Sequence, residues 1–288
     1  MEKYAVLSKK WAEKNYELRD NLFTKHKKSL DEAFKNHKHL LLGSVGGLML
    51  LASPALPAPL ALPSPNSLIT IEQSNFSSLA KSIPPEVRPL SKEEEEKIAN
   101  LLSKDYGLAV TSEIEGKKLN RSYGLIGGEQ HLFRFPGDTL SKHAESVEDV
   151  SMYLPSGIAP GLGAWRYFSP SYENFTKEDM LREKYYIAVQ TFLAPGFSEN
   201  VNEYRDFFKY RKMLVVNPKT GQAVVVVIGD AGPAEWTGKH LGGSPEVMHH
   251  LGLGKGPRKG AVLYFFIDDP ENSVPLGPIE SIIKIKFT

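Results

Sequence analysis

The stretch MLVVNPKTGQAVVVVIGDAGP, residues 213–233, decides how this chain folds. It opens on a short apolar run, 213–216, and continues after a break with five consecutive β-branched residues, 224–228. A β-branched run without polar alternation predicts a strand buried on both faces. Between the two runs, Asn217-Pro218-Lys219-Thr220-Gly221 is built of turn formers, so the runs are expected to pair as a hairpin. The second strand ends at Asp230-Ala231-Gly232-Pro233. A carboxylate at the end of a buried strand, followed by Gly-Pro, is expected to be held rigidly at the rim of the fold.

Further strands are predicted near 108–114, 122–135, 185–192, 261–267 and 279–287. Ser244-Pro245-Glu246 is an N-cap followed by proline at the first helical position, which predicts a short helix over 245–251 stopped by Gly252. Ser91 and Glu94 make a capping box for a second helix, and the EEEEK run behind it fills the first turn, where negative charge is favoured. Residues 136–183 carry many turn formers and few periodic runs and are expected to form a large loop insertion. The fold class is therefore mainly β with some helix (α+β). The chain has no internal repeat, P-loop or dinucleotide fingerprint.

The order of elements across 213–266 resembles the double-psi β-barrel family that includes the rare lipoprotein A domain, the expansins and membrane-bound lytic transglycosylase A. Asp230, Gly232, Pro233, Ser244, Leu251, Gly252 and Gly260 follow that family's sequence of strand, hairpin, Val-rich strand, Asp-x-Gly-Pro, capped helix, glycine and final strand. The match covers about 60 residues, roughly a fifth of the chain. The resemblance implies a double-psi β-barrel-like domain acting on cell-wall glycan, with Asp230 as an acid and then a base on the glycosidic bond. In the family an Arg follows this Asp, and a second Asp precedes the helix serine; here these positions hold Ala231 and Gly243. Glycan binding with or without cleavage is thus the expectation. A non-catalytic structural or assembly module of the cell envelope is the alternative, and a metal-dependent hydrolase a third reading.

Other candidates come from the residues alone. Glu129 and His131 lie two apart, so on a strand they share a face, and they join Asp230 as candidate catalytic groups. With His143 or Asp138 from the next loop they also match a carboxylate–imidazole metal set. A polar strand face with a hydrogen-bonded histidine explains the same residues, and this is the reading preferred here, so no metal and no cofactor are expected. Trp236, His240 and Arg134 are the candidate glycan contacts, since aromatic, imidazole and guanidinium groups suit sugar rings and hydroxyls.

Charge is unevenly placed along the chain. Residues 1–39 carry ten Lys/Arg against six Asp/Glu, whereas 91–288 carry 23 against 26. Leu7, Trp11, Leu18 and Leu22 form one stripe of a basic amphipathic helix over 1–39. Residues 40–62 are uncharged, which predicts a membrane anchor or signal segment. Residues 63–90, rich in Pro and Ser, read as a stalk, and 91–288 as the domain carried outside the cytoplasm. The expected partners are membrane lipid through 1–62 and peptidoglycan or another envelope polysaccharide through the domain. The net charge of +1 gives no reason to expect nucleic acid. The absence of cysteine excludes disulfides, thiolate metal sites and cysteine nucleophiles.

Overall fold

The structure, a computed structural model, describes Leu79 and residues 81–282. The expected basic helix, the uncharged segment and most of the stalk lie outside the described residues. No described helix is long and apolar enough to cross a membrane.

The described chain opens on helix α1 (Lys92–Tyr106), and its capping box forms as read from sequence: the Ser91 side chain accepts from the Glu94 N–H, and the Glu94 carboxylate accepts from the Ser91 N–H. Arg88 grips the same carboxylate through two N–H donors. Three short strands follow, β1 (Val110–Thr111), β2 (Glu113–Ile114) and β3 (Lys117–Lys118), then β4 (Tyr123–Gly128). The insertion carries α2 (Val147–Met152) and α3 (Lys177–Lys184) and no strand. The chain continues through β5 (Tyr186–Val189), α4 (Val201–Phe208), β6 (Lys212–Val216), β7 (Ala223–Ala231), β8 (Leu241–Gly243), α5 (Pro245–His250), β9 (Lys259–Ile267) and β10 (Gly277–Ile279).

Six of these strands close on themselves. The ring runs β4–β9–β6–β7–β5–β8 and back to β4. Two pairings, β4 with β8 and β5 with β7, are parallel, and the other four are antiparallel. The result is a mixed β-barrel in which no ring strand is left with an open edge. β1 and β10 add to β9 and β7 outside the ring.

Alternation along each strand sorts side chains between the inside and the outside of this barrel. Ile126, Ile187, Val189, Met213, Val215, Val224, Val226, Ile228, Leu241, Val262, Tyr264 and Phe266 fill the interior, with Phe208 of α4 and Met248 of α5 packed into the same cluster. The intervening residues Leu214, Val216, Val225, Leu263 and Phe265 face outward and are covered by Ile98, Leu102 and Tyr106 of α1. The β-branched run is therefore buried on both faces for a concrete reason: barrel interior on one side, helix on the other. The hairpin expected at 217–221 joins β6 to β7, where Asn217 Oδ1 accepts the Lys219 N–H at 3.0 Å.

A third, smaller cluster of Leu132, Phe168, Tyr186 and Val227 anchors the insertion to the outer wall. The strand expected over 122–135 ends early, at Gly128, because the chain beyond it leaves the ring to enter this insertion. Of the strand expected over 279–287, only residues up to 282 are described, and the observed strand is Gly277–Ile279.

Candidate functional site

Asp230 owes its position to an irregularity in β7. Residues 224, 226 and 228 point into the barrel, and unbroken alternation would send 230 inward as well. The pairing with β5 slips at this point: Ile187 lies opposite Ile228, but Ala188 lies opposite Asp230. Gly229 is the extra residue of this bulge, and it turns the Asp230 side chain to the outer wall. A glycine is needed there, since a Cβ would stand 2.6 Å from the Cβ of Tyr186.

On the outer wall Asp230 belongs to a row of small residues. Gly127 of β4 pairs with Gly242 of β8, Gly242 with Ala188 of β5, and Ala188 with Asp230 of β7. Longer side chains from neighbouring positions lie over this bare backbone. A Cβ on Gly127 would collide with Lys239 Cδ, and one on Gly242 with Glu129 Oε1. Lys239 Nζ and Glu129 Oε1 form an ion pair of 2.7 Å across the two glycines.

The two oxygens of Asp230 have different surroundings. Oδ1 accepts from the Ala164 N–H at 2.6 Å and from the Ala231 N–H at 2.8 Å. The 163–166 loop that supplies Ala164 is itself pinned to α4: Arg205 donates to Ala164 O, and Trp165 Nε1 donates to Arg205 O. Oδ2 accepts no hydrogen bond among the described residues and is not among the fully buried unpartnered atoms, so it keeps some exposure to solvent. Burial raises the carboxyl above its ordinary value, more than the two N–H donors lower it, and the nearby charge of Glu129 raises it further. This is not an Asx-turn onto the Gly-Pro segment, because the Gly232 N–H goes instead to Val189 O.

The other candidates divide. Glu129 lies close to Asp230 on the same wall. Trp236 projects from the turn after β7, 88% exposed. His240 is committed to the fold: Nδ1 accepts the Leu125 N–H at 2.9 Å, Nε2 lies 2.8 Å from Arg121, and burial with the Arg121 and Lys259 charges lowers its basicity. His131 and Arg134 are placed elsewhere. Beyond β4 the chain leaves the strand, so Glu129 and His131 do not share a face, and both His131 (0% exposed) and Arg134 (5%) are buried beneath the insertion. They are not surface groups available to a glycan. Gly243, where the family resemblance has its second Asp, faces the barrel interior; a Cβ there would meet Ile126 and Val247 at 3.0 and 3.2 Å.

His131 and Arg134 take part in a buried chain of charged groups. Arg134 holds Asp138 through Nε and Nη2, both at 2.9 Å. Asp138 Oδ2 faces His143 Nε2 at 2.9 Å, and His143 Nδ1 faces Glu183 Oε2 at 3.1 Å. Glu183 Oε1 then meets His131 Nδ1 at 3.2 Å and the Leu132 N–H at 3.0 Å. Burial opposes charge throughout, but the hydrogen bonds outweigh it: His143 is raised to about 9, and Glu183 and Asp138 are lowered. Glu246 of α5, under the same burial and beside the Glu183 charge, is pushed up to about 8. Glu183, Lys239 and Gly242 carried no signal in sequence, since their importance depends on neighbours 40 or more positions away.

No family model matches this chain, and searches of curated proteins and of solved structures find no match.

Proposed function

We propose that the barrel is of the double-psi type and that its Asp230 wall binds and processes cell-wall glycan. The closed six-stranded ring with its two parallel pairings is compatible with that barrel type. The observation that carries the functional reading is the asymmetry of Asp230: one oxygen fixed by two backbone N–H groups, the other without a donor among the described residues, and the proton retained to higher pH by burial. A general acid for glycosidic cleavage requires that combination of fixed aim and raised pKa. Asp230 would protonate the leaving glycosidic oxygen as the anomeric C–O bond breaks. Its carboxylate would then take the proton of the hydroxyl that adds to the anomeric carbon, which restores the acid. Trp236 offers an exposed ring face on which a sugar can stack, and the Glu129–Lys239 pair offers hydrogen-bonding groups along the same wall.

Ala231 and Gly243, in place of the family's Arg and second Asp, favour a second reading in which the wall holds glycan without cutting it, as an envelope assembly module. Purified peptidoglycan separates the two. Soluble muropeptides released by the wild type and not by Asp230→Asn establish cleavage; retention without release establishes a binding module; neither retention nor release refutes both. The basic head and uncharged segment support a single-pass placement with the domain outside the cytoplasm. A reporter fused after Lys104 tests this, and activity of a cytoplasmic-only reporter refutes it.

A further inference from the structure

We propose that His131, His143 and Glu183 form a buried site for one zinc-class divalent metal ion that ties together the two ends of the 129–184 insertion where it leaves and rejoins the barrel. The site is separate from the Asp230 wall and does not depend on its reading.

Ligand geometry is the first argument. The candidate donor atoms of the three residues all lie within 4.8 Å of one another. His131 Nδ1 and His143 Nδ1 converge on the two oxygens of one carboxylate, at 3.2 and 3.1 Å. Two ligands on a tetrahedral ion with bonds of about 2.0–2.1 Å stand ~3.3 Å apart, so these separations are those of neighbouring donors around a shared metal. Two imidazoles and a carboxylate are a donor set that suits zinc.

Hydrogen-bond accounting is the second. His143 has a carboxylate at each nitrogen, Asp138 at Nε2 and Glu183 at Nδ1. With an ion at Nδ1, Nε2 donates to a carboxylate that Arg134 and the Arg134 and Thr139 backbone N–H groups hold in place. A carboxylate orienting a histidine from behind is the usual outer support of a metal-bound imidazole. Glu246 of α5 is also buried, with Oε2 unpartnered among the described residues, but its carboxylate is not one of the donor groups that converge within 4.8 Å.

The need for such a staple is visible in the packing. The apolar cluster fixing the insertion contains four fully packed residues, far fewer than either of the other two clusters. Two of the proposed ligands come from the first part of the insertion and the third from its end, so one ion joins its two ends. All three ligands are buried, so substrate does not reach the site and the role of the ion is structural.

The test uses the full chain, stripped with a chelator and titrated with Co2+, then with Zn2+. One equivalent of Co2+ should give the visible absorption band of a tetrahedral nitrogen–oxygen site, one equivalent of Zn2+ should displace it, and zinc should raise Tm. His143→Gln should lose the band, Asp138→Asn should weaken metal binding about 10- to 100-fold, and a variant lacking the adjacent His249 and His250 should bind as wild type. Absence of the band at equimolar Co2+, or a zinc-independent Tm, overturns the proposal. So does a band that survives His143→Gln in folded protein. The wild-type spectrum and Tm need no variant, so a variant that fails to fold does not shield the proposal.

Discussion

Asp230 Oδ1 accepts the Ala164 backbone N–H at 2.6 Å, which ties the end of β7 to a loop 66 positions earlier in the chain. The same oxygen serves the Ala231 N–H. An asparagine oxygen can accept both bonds, so Asp230→Asn should leave Tm nearly unchanged while removing the proton that cleavage requires. Asp230→Ala strands both N–H groups and should cost about 1–3 kcal/mol in denaturant unfolding. Cleavage by wild type should fall as pH rises through the raised Asp230 value, because only the protonated form is the acid. An Asn variant that cuts glycan at the wild-type rate would remove Asp230 from the mechanism.

The bulge predicts a comparable loss of stability from a smaller change. Gly229→Ala sets a Cβ 2.6 Å from Tyr186 Cβ, in a side chain that is 1% exposed and cannot step aside. The expected loss is about 1–3 kcal/mol from overpacking, together with loss of glycan binding or cleavage, because β7 must shift and Asp230 loses its aim. Full activity and unchanged stability in this variant would show that the bulge does not set the site.

Acid stability should report on Asp269. Burial opposes its charge, but Lys212 at 2.7 Å and the backbone N–H groups of Ser273 and Val274 hold it down to about 2 from an ordinary 3.8. A depressed carboxyl contributes stability that is fully present above the unfolded value and is lost as pH falls through the folded one. The gap in unfolding free energy between wild type and Asp269→Asn should therefore be widest above pH 3.8 and close as pH falls toward 2. A gap independent of pH over that range would exclude the ion pair as its source.

Helix α1 covers the outer face of β6, β7 and β9, so its cap bears on barrel stability. Ser91→Ala removes the acceptor for the Glu94 N–H and should cost about 1 kcal/mol in chemical denaturation. Ser91→Asp, which can still cap, should stay close to wild type. Equal losses in both variants would show that the Ser91 hydroxyl acts through something other than capping.

What the sequence determined by itself was local. The Val-rich strand, the 217–221 hairpin, the Ser91 capping box and the helix after Ser244 are each written in adjacent residues, through β-branching, turn chemistry and side-chain-to-backbone bonds a few positions apart. It also marked Asp230, because a carboxylate at the end of an apolar strand stands out without knowledge of its neighbours. The tertiary structure decided the rest. Strand β8, Leu241–Gly243, has poor strand propensity and exists because β4 and β5 pair with it on either side. Helix α4 forms where Tyr204, Phe207 and Phe208 find the barrel core to pack on. The direction of Asp230 depends on a one-residue slip between β5 and β7, and a slip of one residue exchanges inside for outside. His131 and Glu129 were paired by their spacing but parted by the end of β4, and His131 met instead a glutamate 52 positions away. Such contacts depend on long-range closure of the chain, and no local pattern of residues encodes which distant side chain will arrive.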